Sequence, residues 1–251
     1  LSPTPAPPLT AWRLVLLLTQ GLWVARTATR LPPAGGPLGG EAGEGRPLHL
    51  LAIGDSIVAG VGVDRTDEAL PARLAVALAA EGDFRVSWRA EGRSGARSAR
   101  VLSLLADLPP TLPDPDLVVV SNGINDATAP PAESRVLEGL CAVVEALERR
   151  FPRAAVFQLG LPPLGAFPAL PQPLRAVLGR RARALDARLG DWLSTRPRSW
   201  HLPFRETPEP AQFAPDGYHP GPAAVAAWAE DLAPRMIERL AAAEAPVPTR
   251  P

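Results

Sequence analysis

Apolar residues fall along this chain in two alternating rhythms. Short continuous runs break off at Gly, Ser or Pro, and longer stretches between them place apolar residues three and four apart. Leu48 to Ile53 is the first run, and it stops at Gly54-Asp55-Ser56. A short apolar run closed by a turn signal reads as a buried parallel strand. Leu70, Leu74, Ala77 and Leu78 then recur at helical spacing and predict a helix over Ala69–Glu81. Phe84, Val86 and Trp88 alternate, which predicts a second strand over Phe84–Ala90 that ends in the turn Glu91–Ala96. Ser98–Leu105 reads as a short helix stopped by Pro109-Pro110. Leu117–Ser121 is the clearest strand, and it runs straight into Asn122-Gly123-Ile124-Asn125-Asp126. Glu133–Phe151 is a long amphipathic helix, and Ala154–Leu161 is a fourth strand closed by Pro162-Pro163. A helix over Leu174–Leu193, a fifth strand over Trp200–Phe204 and a last helix over Pro220–Ala242 complete the pattern. Pro220 and Pro222 suit the opening turn of that last helix. There is no internal repeat and no long heptad pattern.

Strands that alternate with helices predict an α/β fold. The sheet has about five parallel strands and is covered on both sides, giving three α/β/α layers in one domain over residues 48–242. Right-handed crossovers put all the strand carboxyl ends at one edge, where open α/β sheets bind ligands. If the first three strands are neighbours, the turns at 54–56, 92–96 and 122–126 fall together there.

Residues 1–47 read differently. Residues 2–8 are Pro-rich and expected to be disordered. Leu14–Val24 is uncharged, follows Arg13, and has Trp12 and Trp23 near its ends. It is too short to span a bilayer comfortably. Three readings stay open: a signal-peptide apolar region, an interfacial helix making peripheral membrane contact through residues 12–24, or a helix packed on the domain. Location is open with it, between periplasmic or secreted, membrane-associated, and cytoplasmic. Residues 32–47, rich in Gly and Pro, read as linker, and 243–251 as a disordered tail.

Charge removes one class of partner. The chain has 26 basic and 26 acidic residues, so it lacks the basic excess of a nucleic-acid binder. Every basic residue is Arg, a bias that reads as GC-rich coding rather than function. Cys141 is the one cysteine, so neither an internal disulfide nor a cysteine-based zinc site fits. It lies in the apolar pattern of the 133–151 helix and reads as a structural thiol.

Ser56, just past a strand end, is a candidate nucleophile, although Gly-Asp-Ser is also an ordinary turn. A serine nucleophile needs a base, and the base an orienting acid. His49 opens the first strand, away from the turns, and His201 lies in the fifth strand, so both read as structural. His219 remains, in Asp216-Gly217-Tyr218-His219-Pro220. Asp216 is one turn from it and could reach the imidazole Nδ1, but Asp-Gly before Pro is also a plain turn. A tetrahedral intermediate needs oxyanion donors. The backbone N–H groups of Ser56 and Gly95 and the side-chain amide of Asn125 are candidates, with Gly92 an alternative to Gly95. Ser94 and Ser121 are rival nucleophiles in principle. The loop after Gly54 lacks the Gly-Lys-Ser/Thr of a phosphate loop, and no Gly-x-Ser-x-Gly elbow occurs.

The ordered set Gly54-Asp55-Ser56, Gly95, Gly123-Ile124-Asn125-Asp126 and Asp216-Gly217-Tyr218-His219 resembles the SGNH (GDSL) hydrolases, bacterial esterases and lipases of GDSL type. The resemblance covers about residues 48–242. Ile57 stands where the family name has Leu. The resemblance implies a flavodoxin-like sheet of five parallel strands. It implies Ser56 as nucleophile, His219 as base and Asp216 as its orienter, with Ser56, Gly95 and Asn125 as oxyanion donors. The expected activity is a serine esterase for short- to medium-chain carboxylic acyl esters, small or lipid-like, with no metal or organic cofactor. The apolar loop Leu161–Pro171, with Leu164 and Phe167, is expected either to line an acyl pocket or to serve as a rigid connector. Thioesterase, lysophospholipase and carbohydrate O-deacetylase are rivals on the same residues. A non-catalytic binding module on this fold is a rival of another class. Asp55 reads as loop support, since a residue beside the nucleophile is poorly placed to orient the imidazole.

Overall fold

The computed structural model describes residues 11–129, 132–205 and 207–244. The expectations for residues 2–8 and for most of the 243–251 tail lie outside these.

The predicted strands form, in order, β2 (Arg46–Gly54), β3 (Phe84–Gly92), β4 (Leu117–Ser121), β5 (Ala155–Leu159) and β6 (Ser199–Leu202). They lie parallel, with β2 between β3 and β4 and with β5 and β6 beyond β4. Every residue of β4 and β5 is buried, as expected of parallel strands covered on both faces. The register decides where the chemistry falls. Gly54 pairs with Gly92 on one side and Ser121 on the other, so the three strand ends stand side by side. The turns at 54–56, 92–96 and 122–126 therefore meet at one edge of the sheet.

Two helical layers cover the sheet. On one face α2 (Leu70–Glu81) and α7 (Pro222–Glu244) pack over Leu50, Val119 and Phe157. On the other, α3 (Ser98–Ala106), α5 (Glu133–Arg150) and α6 (Leu174–Leu193) pack over Leu51, Ile53, Val118 and Val156. The alternation along β2 thus sends Leu50 to one layer and Leu51 to the other, by the two-residue period of a strand. α7 runs through Glu244, two residues into the stretch expected as tail.

The stretch expected as linker holds structure. β1 (Gly39–Ala42) adds a sixth strand, antiparallel to β3 at the sheet edge. Four residues that include two glycines carry no apolar alternation, so pairing with β3, not local preference, makes this a strand. Ala34 is buried and donates its N–H to the Ala59 carbonyl (3.1 Å), which holds this segment against the loop after β2. The apolar stretch ahead of it is helix α1 (Ala11–Thr27). Leu17 and Val24 pack against the core below α6. Gln20 donates to the Gln172 carbonyl (2.6 Å) and accepts the Leu174 N–H (3.1 Å). No helix among the described residues is long and apolar enough to cross a membrane.

Candidate active site

Ser56 follows β2 in a loop that is hydrogen-bonded to its neighbours at each step. Asp55 donates its N–H to the Ser121 carbonyl (2.9 Å) and accepts the Ala59 N–H on its own carbonyl (3.0 Å). The Asp55 side-chain Oδ1 accepts from the Ile57 N–H (3.1 Å) and the Ser121 hydroxyl (3.0 Å). Its carboxyl is thus aimed at the loop and at β4, the supporting place expected for it. Burial pushes that carboxyl up from 3.8 to about 6, against the lowering effect of the two donors and of nearby His219. Ser121 is a buried partner of Asp55, and Ser94 lies exposed on the next turn.

His219 and Asp216 come from the far end of the chain. Ala214 donates its N–H to the His219 carbonyl (2.8 Å) and Gly217 to the Ala214 carbonyl (2.8 Å), closing the Asp-Gly-Tyr-His turn. Inside it, Asp216 Oδ1 accepts the N–H groups of Tyr218 (2.9 Å) and His219 (3.0 Å). Asp216 Oδ2 lies 2.6 Å from His219 Nδ1. Burial raises the Asp216 carboxyl, but the imidazole and these two N–H groups outweigh it and hold it below its ordinary value. Tyr218 is pushed up to about 12, first by burial and then by the charges of Asp55 and Asp216.

The two turns touch. Gly62 has φ +105°, and an added Cβ there would collide with the Pro220 carbonyl oxygen and crowd His219 Cβ. The loop carrying Ser56 therefore packs directly on the turn carrying His219. Both residues line one cleft. Its other walls are apolar, with Ile124, Pro162, Phe167 and Phe213 among them. Phe167 meets Phe213 and Tyr218 edge-on, with ring centres 5.3 and 5.0 Å apart. Ala169 donates its N–H to the Gly217 carbonyl (3.0 Å), so the Pro-rich loop both walls the cleft and clamps the histidine turn. Leu164 does not line the cleft. It is fully buried in the core beside α6, because the short 3-10 turn Leu164–Ala166 faces it inward.

Two of the candidate oxyanion donors, Gly95 and Asn125, lie in turns that are hydrogen-bonded to each other. Gly95 has φ +73°, with nothing within 4 Å of where a Cβ would stand, so the turn itself, not packing, calls for glycine. Gly92, the alternative, ends β3, and a Cβ added there would collide with the Ala59 amide nitrogen. Asn125 sits in the short helix α4 (Ile124–Ala127) and donates one amide hydrogen to the Ala96 carbonyl (2.9 Å), next to Gly95. Its second amide hydrogen remains for another acceptor.

A further network holds these turns, joining Asn122 and Asp126 of the turn after β4 to Ser98, whose part in it was not singled out in the sequence. Asp126 Oδ2 accepts the N–H (3.0 Å) and hydroxyl (3.2 Å) of Ser98, capping α3 from another element. Asn122 donates to the Ser98 hydroxyl (3.1 Å). Burial leaves the Asp126 carboxyl above its ordinary value despite these donors. Asn122 and Asp126 sit in the turn the sequence points to, but Ser98 is 24 and 28 residues away from them and carries no local signal. The other two histidines are paired elsewhere. His201 Nε2 lies 2.8 Å from Asp186, which also accepts the Leu161 N–H (2.8 Å). His49 Nδ1 lies 3.2 Å from Asp116 at the opposite end of β2. Among the described residues no group of three or more His, Cys, Asp or Glu could hold a metal ion.

The family model of the GDSL-like lipase/acylhydrolase family matches residues 52–227, which carry all of these turns. The chain belongs to this family. A GDSL-like esterase of Mycobacterium tuberculosis is 32 % identical over 193 residues. That match takes in 74 % of this chain and spans 60 % of the relative's length. Among solved structures, a family 3 carbohydrate esterase of Clostridium thermocellum is similar with TM-score 0.62 and 15 % identity, over 78 % of this chain and 98 % of that one. A lipase from a goat rumen metagenome is similar with TM-score 0.60 and 18 % identity, over 78 % and 97 %. At these identities the likeness speaks for the fold alone, the three-layer sheet shared by GDSL hydrolases.

Proposed function

We propose that the chain is a serine carboxylic ester hydrolase acting through an acyl-enzyme on Ser56. The observation that carries this reading is the meeting of Ser56 and the Asp216–His219 pair on the wall of one apolar cleft. Ser56 Oγ attacks the acyl carbonyl while His219 Nε2 takes its proton and passes it to the leaving alcohol. Water, deprotonated by the same Nε2, then releases the acid. Asp216 holds Nδ1–H, which keeps Nε2 free as the acceptor and stabilises the imidazolium that forms. The Ser56 and Gly95 N–H groups and the Asn125 amide take the oxyanion, each worth roughly a hundred- to a thousandfold in rate.

Phe167, with its aromatic neighbours, limits the acyl side, which favours short to medium aliphatic chains over charged ones. Small or lipid-like acyl esters are the substrate class this supports. Ser56→Ala is expected to abolish turnover of p-nitrophenyl acetate and butyrate and labelling by a fluorophosphonate probe. Retained turnover would overturn the assignment, and a wild-type chain that takes no label would make it a binding module. A panel including thioesters, lysophospholipid and acetylated glycans separates the remaining ester-like substrates.

A further inference from the structure

Helix α1 is apolar on its outer side as well as its inner one. Leu17 and Val24 face the core, and Gln20 fastens the helix to Gln172 and Leu174. Outward stand Trp12, Leu14, Val15, Leu18, Leu22 and Trp23, each between 50 % and 63 % exposed. Leu14, Leu18 and Leu22 make one row at four-residue spacing, flanked by Val15 and the two tryptophans. A surface helix bathed in water turns polar and charged residues outward instead.

The charge around this face says what covers it. Arg13, Arg26 and Arg30 are exposed, and among the described residues none of them makes an ion pair. The first acidic residue of the chain is Glu41, so the first 40 residues are cationic although the chain as a whole is neutral. A second copy of the same face would bring arginine against arginine with no carboxylate between them. An apolar face with tryptophan near both ends and arginine as its only charge matches a helix lying in the headgroup region of an anionic bilayer.

We propose that α1 is an interfacial helix that docks this protein on an anionic lipid surface. Its anchor at Gln172 ends the same loop that carries Phe167 in the cleft wall, so the docked helix and the cleft share one connecting segment. The inference is independent of the catalytic reading.

The test is flotation of the full chain with two kinds of vesicle, phosphatidylcholine alone and phosphatidylcholine with about one third phosphatidylglycerol. The chain is expected to float with the anionic vesicles and to partition roughly 100-fold more weakly onto the neutral ones, about fivefold for each arginine. High salt should narrow that gap. Leu18→Glu/Leu22→Glu should remove flotation, and Arg13→Gln/Arg26→Gln/Arg30→Gln should remove the preference for anionic lipid. Both variants are expected to keep the wild-type circular dichroism spectrum, since all five positions are exposed. No flotation of the wild-type chain, or undiminished flotation of Leu18→Glu/Leu22→Glu, would overturn the proposal. So would a dimer in gel filtration that Leu18→Glu/Leu22→Glu dissociates, because the face would then belong to a second copy.

Discussion

Asp55 and Asp216 are two carboxyls near one histidine with opposite tendencies. Asp216 is held low by the donors around it, and Asp55 is raised to about 6 by burial. A carboxyl raised in the folded state adds stability below its unfolded value and loses it as pH climbs through the folded one. The wild-type protein should therefore lose stability relative to Asp55→Asn between about pH 4 and 6, by roughly 3 kcal/mol. Urea midpoints of both proteins across that range check this, and parallel curves would contradict it. Asp216 works the other way. Its contribution is present above the ordinary carboxylate range and fades as pH falls through its depressed value. Asp216→Asn should leave the fold intact but lower kcat by roughly 10⁴-fold, because the imidazole loses its fixed tautomer. The exchange is to be measured on p-nitrophenyl butyrate. Adjacency to the serine already set Asp55 aside as the orienting acid, and the direction of its carboxyl, toward Ser121, puts it in the loop.

The elements that shape the cleft are loops, where periodicity says little. The loop Leu161–Pro171 read equally as acyl-pocket lining or rigid connector; Phe167 lines the cleft while Leu164 and Leu170 are buried in the core. Opening that wall with Phe167→Leu or Phe167→Ala should shift the preferred acyl chain toward longer esters. The ratio of kcat/KM for octanoate over butyrate should rise roughly tenfold. An unchanged chain-length profile would remove Phe167 from the pocket. Gly62 is the other test at this scale. Gly62→Ala forces a side chain into a left-handed position against Pro220, at a strain of about 1–3 kcal/mol. It should slow turnover by moving the Ser56 loop off the His219 turn, and a kinetic comparison at equal folded fraction detects this.

At the scale of the molecule, stability and chemistry reside in different places. Leu74 on α2 is fully buried in the layer formed with α7 and is not among the residues that line the cleft. Leu74→Ala should cost about 2–5 kcal/mol in urea unfolding, while ester turnover per folded molecule stays near wild type. A matching loss in turnover would mean that this layer positions the site. The three-layer arrangement itself was legible, because buried parallel strands and amphipathic helices announce themselves by composition and period. β1 was not, since an edge strand of Gly-Gly-Glu-Ala takes its conformation from hydrogen bonds to β3.

What the amino-acid order determined alone is what depends on neighbours in the chain. That covers the five parallel strands, the helices between them, and the Asp216–His219 pair, whose members are three residues apart and closed by one turn. What the tertiary structure decided is what depends on distance across the fold. The register of β2 against β3 and β4 brings three turns together, and Gly62 packs the serine loop on the histidine turn. Asp126 caps a helix that begins 28 residues earlier in the chain. Helix α1 presents an apolar face outward only because its other side is already taken by the core. Periodicity shows that a helix has apolar residues, but only its packing shows which of them still face water.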